Sequence, residues 1–257
     1  MTVVLPPMTP AQAEAWNGLL DVAERHPTGW TVVGGQMVQL HCIERGVAPA
    51  RPTDDVDAVL DVRAEPDVLH TFTSALADVG FVSAGESWRG HQHRWRRGAG
   101  EIDVLIPRHL GEKAAGRRGV SGGTTIETPG AQQALDRTEA VEVALGGRTG
   151  IIRRPNLLGA LVAKAAAHSV VLDRARTRHL VDFATLTTLL RPSDRVDQAG
   201  RRDREYLEAA LAALVDDPRS WAGVDGAEAG IARLRLVLAP PPGAEPVSPS
   251  TFTRRRR

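Results

Sequence analysis

The chain has 257 residues, 42% hydrophobic and 25% charged, a globular balance that excludes a disordered polymer. Its 32 basic and 31 acidic side chains leave a formal net charge of +1, which gives no global signal for nucleic acid. Cys42 is the only cysteine, which excludes an intrachain disulfide and a cysteine-clustered zinc site.

Taken in chain order, residues 1–10 hold three prolines and read as an arm. Residues 11–26 form a helix through Trp16, Leu19, Leu20 and Ala23, and Pro27-Thr28-Gly29 stops it. A short apolar strand at 30–33 runs into Gly34-Gly35, and helical spacing resumes over 36–45. A turn-rich link leads to a strand over 56–62, and a helix covers 65–79. Strands at 91–97 and 101–106 flank Gly98-Ala99-Gly100 as a hairpin. The polar stretch 109–123 reads as a loop, and 141–145 with 149–152 as a second hairpin. Long helices follow at 157–172 and 176–190, with further ones at 204–215 and 227–237. No apolar run is long enough to predict a membrane span, and residues 2–10 lack the pattern of a signal peptide. The expected setting is soluble and cytoplasmic.

The fold class is therefore α/β (α+β): a mixed sheet with flanking helices, then a helical part. A boundary near 153–156 divides a catalytic domain, 11–153, from a helical domain, 154–239, and the Pro- and Arg-rich 240–257 is expected to be a disordered tail.

Three acids stand out. Asp55 and Asp57 sit two apart, which on a strand points both carboxylates to one face. Asp103 lies among apolar residues on a neighbouring strand, so two strands can present three carboxylates to one point. Oxygen ligands so gathered suit Mg²⁺, and a pair of such ions serves phosphoryl transfer. Gly34-Gly35, after a strand and before a helix, lets backbone approach a phosphate at a helix start. Its spacing fits neither a P-loop nor a dinucleotide fingerprint.

With those residues in place, the sequence resembles the nucleotidyltransferase superfamily of the DNA polymerase beta type. It is most similar to the abortive-infection (AbiEii-like) toxin nucleotidyltransferases. The shared pattern is Gly34-Gly35, Asp55-Val56-Asp57 and Asp103, with Arg51-Pro52-Thr53 leading into the acidic strand. The resemblance implies metal ligation by Asp55, Asp57 and Asp103. It implies nucleotide contacts from Gly34, Gly35, Gln36, Arg51 and Thr53, with Lys164 on the triphosphate and Asp182 completing the helical motif. His179 stands where relatives often carry that motif's first acid.

The implied reaction transfers a nucleoside monophosphate from an NTP to a hydroxyl, with two Mg²⁺ ions. Implied acceptors are RNA, a tRNA end among them, or a protein hydroxyl, and an antitoxin protein is an implied partner. Other relatives modify aminoglycoside or lincosamide antibiotics. The Arg-rich segment 91–97 and Arg117-Arg118 favour a polyanionic acceptor, and Trp88 or Trp95 could stack a base there. A noncatalytic nucleotide-sensing or interaction module on the same fold is the alternative from another class.

Overall fold

The computed structural model describes residues 2–87 and 89–239. The expectations about Trp88 and about the tail 240–257 lie outside the described residues.

The chain opens with β1, Val3–Val4, then α1, Pro10–Arg25. Thr9 caps α1 through a reciprocal box with Gln12, which fixes where the helix starts. Strand β2, Trp30–Val33, feeds directly into α2, Gly34–Arg45. Strand β3 is Val56–Leu60, and α3 is Val68–Asp78. The hairpin strands follow as β4, Val82–Ser83, β5, Arg94–Arg97, and β6, Gly100–Pro107. A short helix α4, Glu112–Ala115, precedes β7, Ile126–Thr128, and α5, Ala131–Leu135. The second hairpin is β8, Thr138–Leu145, with β9, Arg148–Pro155. Four helices complete the described chain: α6, Leu157–His168; α7, Thr177–Thr188; α8, Arg201–Asp216; and α9, Ala227–Leu238.

Among the described residues the main sheet runs β2-β3-β6-β5-β4, with β7 also paired to β6. β3 and β6 are parallel, while β2 and β5 flank them antiparallel. A smaller sheet orders β1-β8-β9. One cluster of buried apolar side chains joins the sheet to the helices, from Trp16, Trp30 and Ile102 to Leu161, Phe183 and Leu234.

Three expectations are corrected. The opening segment is not a free arm, because Val3 and Val4 pair in parallel with Val143 and Ala144 and Val3 is buried. Within 109–123, Glu112–Ala115 forms a helical turn rather than continuous loop. The second of the long helices ends at Thr188, and the first at His168, leaving Val171 and Leu172 exposed between them.

Candidate active site

Register alone brings the acids together. β3 pairs with β6 so that Asp57 lies opposite Asp103, and Val33 at the end of β2 lies opposite Asp57 on the other side. Asp55 precedes Asp57 by two residues and shares its face. One carboxylate oxygen from each of Asp55, Asp57 and Asp103 lies within 4.8 Å of the others. Three hard oxygen donors, from β6, β3 and the residue just before β3, fit a divalent cation of the magnesium class.

The glycine turn is fitted around the same point. Gly34 has φ of +69°, and a Cβ there would come within 1.7 Å of an Asp57 carboxylate oxygen. Only glycine leaves room for that carboxylate beside the helix start. At Gly35 a Cβ would meet the Thr53 side chain at 2.6 Å. The first N–H groups of α2 thus open beside the acids, with no side chain capping them.

The acidic loop is held from below. Thr53 Oγ1 donates to an Asp55 oxygen at 2.6 Å. The Thr53 carbonyl accepts from Gln12 Nε2 at 2.6 Å and from Gln36 Nε2 at 2.8 Å. Asp54 accepts from Thr9 Oγ1. The Gln36 side chain is buried, accepting from Trp16 Nε1 and donating to the Thr53 carbonyl, and so fixes the acid loop.

Electrostatics follow from crowding. Burial, then the neighbouring Asp55 and Asp103, push the Asp57 carboxyl up to about 7, against the opposing pull of Lys164 and Arg178. Asp103 is held in a fork by Arg94, whose Nε and Nη2 each donate at 2.8 Å. That bond to Asp103 raises the Arg94 pKa further, so the guanidinium stays charged.

The helical half closes onto the acid loop through one carboxylate. Asp182 accepts from Arg51 Nε at 2.8 Å and Nη2 at 2.7 Å, and from Lys164 Nζ at 2.7 Å. Burial alone would raise the Asp182 pKa, but Lys164 and Arg51 outweigh it and hold the carboxyl low. Lys164 is itself only 3% exposed. Arg51 therefore bridges the lead into β3 and helix α7. His179 is bonded to Asp173 at 3.0 Å, and burial with nearby Lys164 lowers its pKa to about 4, so it is neutral near pH 7.

The basic hairpin does not stand free for a polyanion. Arg94 is engaged by Asp103 and Glu101, and Arg96 by Glu101. Arg97 reaches Glu14, Asp21 and the Val79 carbonyl. Trp95 is buried in the hairpin packing rather than offered for stacking. His91 contacts Thr124 Oγ1. Cys42 is a buried thiol whose pKa is pushed up to about 12 by burial.

Sequence reading missed Arg94 as the partner of Asp103. The signal was available: counting outward from Arg97 opposite Gly100 places Arg94 opposite Asp103. Thr9 and Gln12 carry a local capping-box pattern, but their reach to Asp54 and the Thr53 carbonyl across the fold had no local sequence signal.

No protein-family model matches the chain, and no curated protein matches it by sequence. Among solved structures, an antigenic nucleotidyltransferase-like protein from Paracoccidioides brasiliensis aligns over 85% of this chain and 94% of its own, with a TM-score of 0.50 and 16% identity. The architecture is thus the nucleotidyltransferase fold, a mixed α/β sheet with flanking helices. Two structures of the antibiotic-resistance factor ANT(2'')-Ia, one in complex with adenylyl-2''-tobramycin, each align over 89% of this chain and over 99% and 94% of their own. Their identities are 14% and 13% and their TM-scores 0.36 and 0.37.

Proposed function

We propose that this protein is a Mg²⁺-dependent nucleotidyltransferase that moves a nucleoside monophosphate from an NTP to a hydroxyl acceptor. The observation that carries the reading is the convergence of Asp55, Asp57 and Asp103 beside an uncapped Gly34-Gly35 helix start. Asp55, Asp57 and Asp103 would hold the metal. Bound there, Mg²⁺ supplies charge neutralisation for the phosphates and lowers the pKa of the acceptor hydroxyl.

The protein's own residues do the rest. The α2 N–H groups at Gly34 and Gly35 receive the phosphate oxygens. Arg94 aims the Asp103 carboxylate through its fork, leaving each of its oxygens a further lone pair. The acceptor oxygen attacks the α-phosphorus, the bond to the β-phosphate's bridging oxygen breaks, and pyrophosphate leaves. The acceptor's proton passes to the Asp103 carboxylate. Positioning and preorganised charge supply most of the acceleration. Lys164 contacts the triphosphate, and Asp182, itself held by Arg51, positions it.

The family resemblance suggests two classes of acceptor. An RNA or tRNA end, in a toxin restrained by an antitoxin, is one reading. The ion-paired hairpin weakens its charge argument, so an aminoglycoside-type hydroxyl stands beside it. The test incubates the protein with each α-labelled NTP, Mg²⁺, and in turn tRNA, an aminoglycoside and protein alone. Label on one acceptor, lost in Asp57→Ala, supports transfer and names the acceptor class. Nucleotide binding with no pyrophosphate release from any pair supports the noncatalytic module instead.

A further inference from the structure

A second polar pocket lies at the far end of the central strands from the acids. Its volume is about 150 Å³, and Arg63, Arg108, Arg202 and Tyr206 are among its lining residues. Arg108 directly follows the end of β6, five residues beyond Asp103, which at strand rise is roughly 16 Å away. Arg63 follows β3 at that same end, and Arg202 and Tyr206 come from α8.

The charge there is not balanced. Three guanidiniums face one lining carboxylate, Asp136, which already accepts from Gln132 Nε2 at 2.9 Å. Arg63 is oriented, its Nη2 donating to the His109 carbonyl at 2.9 Å and its Nη1 reaching Gln132 at 3.4 Å. Among the described residues the guanidiniums of Arg108 and Arg202 have no hydrogen-bond or ion-pair partner, and neither has the Tyr206 hydroxyl. By contrast Arg94, Arg97, Arg137, Arg148 and Arg154 are all paired. The pocket rim also carries His109 at φ of +63°, a left-handed backbone unusual for a side chain with a Cβ. Such strain gathers at ligand clamps.

The geometry points to a binding site for a small phosphomonoester dianion, distinct from the nucleotide cleft. Two net positive charges match a dianion, and guanidinium forks with a phenol hydroxyl match tetrahedral phosphate oxygens. The volume takes one phosphate head rather than a nucleotide, which needs a larger cleft. The site does not depend on the acids, so it stands whether or not the proposed transfer reaction holds.

Tyr206 is the only tyrosine in the chain, so a protein labelled at tyrosine reports the pocket in one ring signal. The probes are inorganic phosphate, an alkyl phosphomonoester and an alkyl phosphodiester, titrated at constant ionic strength without divalent metal. The expected result is a saturable shift with phosphate and the monoester, at a Kd of about 1 mM or tighter. The diester, one charge short, should bind at least about tenfold more weakly. Arg108→Ala and Arg202→Ala, both at exposed positions, should each weaken binding, and their combination should abolish the shift while the circular dichroism stays unchanged. Asp57→Asn should leave it intact. A non-saturating shift, an equal response to the diester, or an unchanged titration in the double variant would overturn the proposal.

Discussion

At the residue scale the centre of the site is a carboxylate that resists ionising. Asp57 rises from 3.8 to about 7 through burial and the charges of Asp55 and Asp103. Between those values the folded chain holds a proton that the unfolded chain has lost. Its metal-free stability therefore falls as pH rises through that window. A cation must displace that proton, so added Mg²⁺ should stabilise most where Asp57 is already ionised. Melting curves with Mg²⁺ or chelator should show a larger increment in Tm at about pH 8 than at about pH 6. Asp57→Asn should raise the metal-free Tm at the higher pH and lose the increment. Equal increments at both pH values in the wild type would contradict this assignment of charge.

At the element scale the site rests on strand register and on one turn. Alternation showed that Asp55 and Asp57 share a face, and the apolar context of Asp103 showed a buried strand. Neither could show that β3 and β6 are adjacent and in register, because that pairing is set by packing across the sheet. The hairpin was legible from Gly98-Ala99-Gly100 because the turn fixes its own register. The Gly34 turn was also legible, although the helix begins two residues before its apolar spacing does. Its tolerance is narrow. Gly34→Ala places a Cβ on Asp57 and demands a left-handed φ, so it should cost about 2–4 kcal/mol in urea denaturation. A variant that still folds should lose the Mg²⁺ increment as Asp57 is displaced. A cost below about 0.5 kcal/mol, the range of an ordinary surface substitution, would mean the close approach is not real.

At the scale of the whole molecule the helices act as the wall that holds the acid loop. Asp182 on α7 reaches Arg51, and Arg45 on α2 reaches Asp194 at 2.6 Å. Leu161 and Phe183 share one apolar cluster with Val32 and Ile102. We therefore expect 11–153 and 154–239 to unfold together, with coincident transitions by far-UV and near-UV circular dichroism. Two separated transitions would show that the halves are independent. The helices themselves were readable from their apolar spacing, but their docking was not. The joining groups, Arg51, Lys164 and Asp182, are charged residues that meet only in the folded chain. The pairing of β1 with β8 escaped for a related reason: a strand of two residues ahead of Pro6-Pro7 carries no period.

The central claim is that Asp55, Asp57 and Asp103 form the metal centre of a nucleotidyl-transfer site. Mn²⁺ binding, read by electron paramagnetic resonance with a non-hydrolysable NTP analogue present, tests it most directly. The account expects up to two bound ions per chain, with binding lost in Asp57→Asn and weakened at least about tenfold in Asp103→Asn. Unchanged Mn²⁺ binding in both variants, each shown to be folded, would contradict it.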